Sequence, residues 1–208
     1  MSKNVSQLPA ATLPLSTADL VPVWQGGAQK QTAIPNMAPD LTNVPRIVST
    51  VTVGAGGQST ITFTVPTGFN HCVIKILGRG DNAAETKALQ LQFNGDSGSN
   101  YDYEQLTAVG ATVAGAATTA QAAMQIANFN SAGATTSYPT QADIFIDAYY
   151  ETSFYQTVLC TSNYRASNVN GVMYATGIWK NAIAIGTITF SLTGGNFAQG
   201  TIATLSME

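Results

Sequence analysis

The chain has 208 residues, of which 45% are hydrophobic and only 9% charged, and its formal net charge is −3 at pH 7. That length allows one sizeable domain with an appendage, or two small domains, and the apolar fraction is enough for a real core. The negative balance without a basic patch argues against a nucleic-acid partner, and no apolar run approaches the roughly 18 residues of a membrane span, so no membrane insertion is expected.

Charged residues make up about 25% of an average soluble domain. Here Thr, Ser, Asn, Gln and Gly supply the polarity instead, a composition suited to an all-β fold that shares its surfaces with partners. Few ion pairs are left for salt to screen. The opening Met1-Ser2-Lys3-Asn4-Val5-Ser6-Gln7-Leu8-Pro9 lacks the apolar centre of a signal peptide. Synthesis in a cytosol, with no secretion signal of its own, is therefore expected.

Residues 5–41 carry Pro9, Pro14, Pro22, Pro35 and Pro39, with Pro45 just beyond, and their only charges are Asp19, Lys30 and Asp40. The apolar residues between them follow neither a period of two nor one of 3.6, so they define no single buried face. Each proline fixes φ, lacks an N–H and drives the preceding residue towards extended geometry. Residues 1–45 are therefore expected to form an extended, kinked arm that cannot cover its own apolar side chains. Leu8, Leu13, Leu20, Val21, Val23 and Trp24 are the candidate partner-docking residues, acting by strand addition at a partner's sheet edge.

The order of short pieces in this arm is distinctive. Leu8-Pro9-Ala10-Ala11-Thr12 is followed by Asp19-Leu20-Val21-Pro22-Val23, then Gln25-Gly26-Gly27, then Lys30-Gln31-Thr32. This order resembles the N-terminal anchoring motif of tailed-bacteriophage fibre and appendage proteins, over about a sixth of the chain. The resemblance implies a virion component, a short tail fibre, head fibre or neck decoration, joined through the arm to a portal, neck, tail or capsid protein. It also implies a homo-oligomer, a trimer as in fibres, made in the host cytoplasm and carried in the virion. No coiled coil, collagen-like repeat or β-helix shaft follows, so a short spike fits better than a long fibre.

Alternation begins after Asn43-Val44-Pro45, and residues 46–208 are expected to form one β-sandwich domain. Short runs separated by Gly, Asn and Ser clusters recur at about the 8–12-residue spacing of a sandwich or barrel. They are Ile47–Val53, Thr60–Val65, Cys72–Leu77, Ala88–Phe93, Tyr101–Leu106, Ala122–Ala127, Ala142–Tyr150, Tyr155–Cys160, Gly171–Ile178, Ile183–Leu192 and Thr201–Ser206. Ile61, Phe63 and Val65 share one face, as do Leu89, Leu91 and Phe93, and Ile188, Phe190 and Leu192; these stripes are core-facing. Thr and Gln at the intervening positions predict a neutral outer surface.

Gly54-Ala55-Gly56-Gly57 is placed to close a hairpin with a longer loop, and Asn94-Gly95 ends another strand. Ala108–Ala123 is too small-residued to make a core and reads as a long loop or an edge strand against a neighbour. Thr118–Ile126 is the one soft helical candidate. The best-fitting architecture is a two-sheet antiparallel sandwich, jelly-roll-like.

Catalytic and metal chemistry find little support. His71 is the only histidine and no Gly-x-Ser-x-Gly elbow is present, so a Ser-His-Asp triad lacks its partners. One His and two distant Cys match no zinc spacing. The stretch from Asn94 to Glu104 has oxygen ligands at alternate positions, but Ser99 stands where a calcium loop needs Gly and Gln105 where it needs Glu. Leu91–Tyr101 also resembles a stretch of small phage structural domains. No metal or cofactor is expected.

Asp143, Asp147 and Glu151 share one strand face, as glycosidase carboxylates would or as an acidic edge that discourages strand pairing; no enzyme is expected. Tyr149, Tyr150 and Tyr155 are candidate residues for binding a host-surface glycan, with rings on the apolar sugar face and amides on its hydroxyls, set against ordinary subunit packing. Arg79-Gly80-Asp81, between Gly78 and Asn82, reads as a turn despite its adhesion-tripeptide spelling. Cys72 and Cys160 are two buried thiols or one disulfide across the sheets.

Overall fold

The computed structural model describes residues 20–25 and 28–33 as backbone, and residues 46–135, 137–166 and 168–207 in full. The chain divides into two units, Met1–Val44 and Pro45–Glu208.

In the first unit, β1 (Leu20–Gln25) and β2 (Ala28–Ala33) pair antiparallel, with Leu20 opposite Ala33 and Gln25 opposite Ala28. This described part of the arm is a two-stranded ribbon. Leu20, Val21, Val23 and Trp24 take positions along β1, where only backbone is described. Leu8 and Leu13 lie outside the described residues.

The second unit is all-β, with no helix among its described residues. Its strands are β3 (Arg46–Thr52), β4 (Thr60–Thr64), β5 (His71–Gly78), β6 (Thr86–Phe93), β7 (Tyr101–Val109), β8 (Thr112–Gln121), β9 (Met124–Asn130), β10 (Thr140–Asp147), β11 (Gln156–Ala166), β12 (Val169–Trp179), β13 (Thr187–Leu192) and β14 (Ile202–Met207). They form an eight-stranded sheet, β3-β14-β5-β10-β11-β12-β7-β8, and a four-stranded sheet, β4-β13-β6-β9. Every neighbouring pair is antiparallel.

The period-two stripes explain why these sheets stack. Ile61, Phe63, Leu91, Phe93 and Phe190 of the small sheet share one buried cluster with Ile74, Ile144, Cys160, Met173 and Leu205 of the large one. Phe63 and Phe190 meet edge to face at 6.5 Å, as ring quadrupoles favour.

Gly54–Gly57 does not close a hairpin. It carries the chain from β3 in the large sheet to β4 in the small one. The chain changes sheet again from β4 to β5 and from β5 to β6, whereas β7–β8 and β11–β12 are hairpin additions to the large sheet. The small-residue stretch is β8, a ten-residue edge strand exposed along nearly its whole length. The soft helical candidate is divided between β8 and β9. Ala120, at φ 56°, marks the bulge where β8 leaves register with β7.

The sandwich has two distinct ends. Arg46, Met207, His71, Asp147 and Gln156 stand at the end where the chain enters β3. Thr52, Ile202, Gly78, Thr140, Ala166 and Thr112 stand at the far end.

Candidate interaction surface

Two stretches with suggestive chemistry in the sequence, residues 94–104 and 79–81, hold the fold together. Asn94 and Gly95 both have positive φ, 52° and 68°, and the Asp96 N–H returns to the Phe93 carbonyl at 2.9 Å. That is the turn an Asn-Gly pair favours. Beyond it the Asp96 carboxylate accepts from Gly98 N–H at 2.8 Å, Asn100 Nδ2 at 2.9 Å and Trp179 Nε1 at 2.7 Å. The Trp179 and Asn100 bonds, with the Gly98 N–H, hold this carboxyl below its ordinary pKa. The expected alternation of oxygens is therefore a tie between the β6–β7 crossover and β12. Among the described residues no His, Cys, Asp or Glu cluster is placed to hold a metal ion.

Arg79-Gly80-Asp81 is also internal wiring. The Arg79 guanidinium donates to the carbonyls of Ser131 at 2.7 Å and Ala134 at 2.8 Å, and also to that of Thr135. Gly80 is buried, and a Cβ there would stand 2.5 Å from Ser131 Oγ and 2.9 Å from Leu192 Cδ1. Asp81 accepts from the backbone N–H and side-chain amide of Asn196 at 2.7 and 2.8 Å, which lower its pKa.

Of the acidic row, Asp143 and Asp147 lie on β10, which runs between β5 and β11 and is not an edge, and Glu151 falls on the β10–β11 connection. Edge protection therefore does not account for these carboxylates. Asp143 faces Lys75 at 3.8 Å and Asp147 meets His71 Nδ1 at 2.9 Å, so each side chain sits beside a basic neighbour on β5. Cys72 and Cys160 are free, buried and on the same sheet, flanking β10 opposite Ile146 and Ile144. Burial pushes both thiols up to about 12.

The three candidate glycan residues separate. Tyr149 is 1% exposed, its hydroxyl donates to the Pro66 carbonyl, and its ring meets Tyr150 edge to face. The chain turns at Ala148, whose φ is 49°, and this bend puts Tyr149 inside and Tyr150 outside. Tyr149 is therefore removed from the surface platform. Tyr150, Phe154 and Tyr155 remain exposed on the β10–β11 connection, at the end where the chain enters.

The largest departure from expectation is the outer face of the eight-stranded sheet. Phe145 on β10 stands opposite Leu159 on β11, and Tyr174 on β12 stands opposite Leu106 on β7. Leu159, Tyr174 and Leu106 line one shallow cleft. Phe145 is 39% exposed, Leu159 50%, Tyr174 54% and Leu106 52%, so this row is apolar yet open to solvent. Beside it, Val172 is opposite Ala108, and Ala108 is opposite the exposed Val113 of β8. Contiguous apolar patches beyond a few hundred Å² mark interaction surfaces on soluble proteins.

Part of this face was hidden in the sequence because β12 turns small residues inwards at Gly171, Ala175 and Gly177. Gly171, Met173, Ala175 and Gly177 point inwards, while Val172, Tyr174 and Ile178 point outwards. The signal available was the glycine spacing: a Cβ on Gly177 would stand 2.4 Å from Met124 Sδ, so the core side of β12 has no room for a side chain at that position. Comparison of the chain with protein-family models, with curated proteins and with solved structures finds no match.

Proposed function

We propose that the protein is a structural component of a tailed-bacteriophage virion, a short fibre, spike or decoration. Residues 1–45 mount it on a portal, neck, tail or capsid protein, with the sandwich outward. The observation that carries this reading is the order of the arm's motifs, Leu8-Pro9-Ala10-Ala11-Thr12 through Lys30-Gln31-Thr32. Leu8, Leu13, Leu20, Val21, Val23 and Trp24 supply the apolar contacts, and backbone pairing of the kind β1 makes with β2 supplies the rest.

The strand order supports a jelly-roll form of the sandwich. Without the β7–β8 and β11–β12 additions, β3-β14-β5-β10 would lie against β4-β13-β6-β9, four strands on four in two Greek keys. The apolar outer face and the uncharged edge strand β8 support self-association, and the fibre resemblance makes the assembly a trimer. In this reading the protein needs no cofactor and catalyses nothing.

The test is particle incorporation. Virions assembled with a chain lacking residues 1–40 should carry none of it, and incorporation at the unaltered level would remove the docking role. A second reading, recognition of a host-surface glycan, is favoured by the exposed rings of Tyr150, Phe154 and Tyr155. It requires glycan-array binding that Tyr155→Ala abolishes.

A further inference from the structure

The far end of the sandwich holds a different cleft, of about 290 Å³, between Tyr138-Pro139 and the paired ends of β11 and β12. Arg165 and Asn170 are directly opposite in register, with Asn163 opposite Val172 beside them. The Arg165 guanidinium lies 4.1 Å from the centroid of the Tyr138 ring, a cation held over an aromatic face. Its Nη1 donates to Asn170 Oδ1 at 3.3 Å, and its Nε–H is buried without an acceptor among the described residues. Asn163 Oδ1 is taken by the Gln141 N–H at 3.0 Å, which leaves the amide NH₂ of this exposed residue as a donor.

The walls are fixed from inside the core. Asn130 is fully buried; its Nδ2 donates to the Tyr138 carbonyl at 2.9 Å and its Oδ1 accepts the Arg165 N–H at 3.0 Å. Arg79 Nη1 reaches the same Tyr138 carbonyl at 3.4 Å. The backbone of both residues is thus anchored without help from the Arg165 side chain. The stacked guanidinium is not needed to hold the loop down.

A tyrosine that is 38% exposed, a cation with fork geometry and two carboxamides make a specific combination. The part of the ring left exposed beside the guanidinium packs on the C–H groups of a sugar, the amides bond hydroxyls, and the guanidinium takes a carboxylate. We infer that this cleft binds a carboxylate-bearing sugar residue of an acidic polysaccharide. The site is distinct from the Tyr150, Phe154 and Tyr155 surface, about 25 Å away along β10. It also lies opposite the end where the chain enters at Arg46. The inference stands on the cleft and does not depend on particle docking, so either can fail without the other.

The experiment is a titration of the ¹⁵N-labelled full chain with a glucuronate-terminated disaccharide and with N-acetylneuraminic acid. The same disaccharide ending in glucose and free acetate serve as controls. Saturable shifts at the Asn163, Arg165 and Asn170 amides are expected with one or both acidic sugars, and not with the controls. Arg165→Gln and Tyr138→Ala should each weaken binding about tenfold or more, while Tyr138→Phe should retain it. Arg165→Lys, which keeps the charge and loses the fork, should weaken it severalfold and guards against misfolding of the other variants. No saturable shift with either acidic sugar, equal response to the glucose-ended control or to acetate, or unweakened binding by Arg165→Gln would overturn the inference.

Discussion

Asp96 sits where the chain leaves the small sheet for the large one, and its carboxylate reaches Gly98, Asn100 and Trp179 at once. Trp179 is fully buried between Phe93 and Tyr101, so its N–H has no water to turn to if the carboxylate is lost. Trp179→Phe removes a bond to a charged acceptor and is expected to cost about 1–3 kcal/mol in urea unfolding. The pH dependence has a fixed sign. Because folding lowers the Asp96 pKa, its contribution is complete above the ordinary carboxylate value of about 4 and disappears as pH falls through the folded value. The stability gap between the unaltered chain and Asp96→Asn should therefore be constant from about pH 7 to 5 and close below about pH 4. A gap that widened in acid would contradict the assignment.

Gly80 is the second residue on which the fold depends. Gly80→Ala must displace Ser131 Oγ and Leu192 Cδ1 from a packed interior, at an expected cost of about 1–3 kcal/mol by thermal unfolding. The two thiols make a simpler case. With both pushed up to about 12 by burial, neither Cys72 nor Cys160 should react with a disulfide reagent in the native protein at pH 8, and both should react after unfolding. A thiol that reacted at once, or none in the unfolded chain, would show the arrangement to be wrong.

Strands with a large-in, small-out pattern were legible from sequence. Ile61-Thr62-Phe63-Thr64-Val65 announces both its strand and its buried face, and the observed exposure follows it position by position. β8 was only half legible, because Thr112–Gln121 is exposed on both faces and has no alternation to display. Which sheet a strand joins was hidden, since Gly54–Gly57 is long enough for either a hairpin or a crossover. Tyr149 and Tyr150 are chemically identical neighbours, and only the bend at Ala148 decides which ring is buried. β12 was misleading for a physical reason: Met124 on the opposing sheet fills the space that an inward side chain at Gly177 would occupy. The apolar row that results on the outside carries its own prediction. Leu159→Lys should leave stability within about 0.5 kcal/mol, as an exposed position does, and should lower the mass seen in sedimentation. An unchanged mass would take Leu159 out of the proposed subunit contact.

At the scale of the whole molecule, the sandwich presents two ends with different equipment. The entry end has Arg46 and the Tyr150, Phe154 and Tyr155 rings; the far end has the Arg165–Tyr138 cleft. A charge-poor body with an open apolar face suits a subunit of a particle, and the motif-bearing first 45 residues suit its mount. The measurement that tests this most directly is quantitative mass spectrometry of purified particles carrying the unaltered chain or the double variant Leu20→Ala, Trp24→Ala. Removing two of the proposed apolar anchors should reduce the copies per particle about tenfold or more, with no change in the unfolding midpoint of the sandwich. Equal copy number for the two chains would contradict docking through the arm.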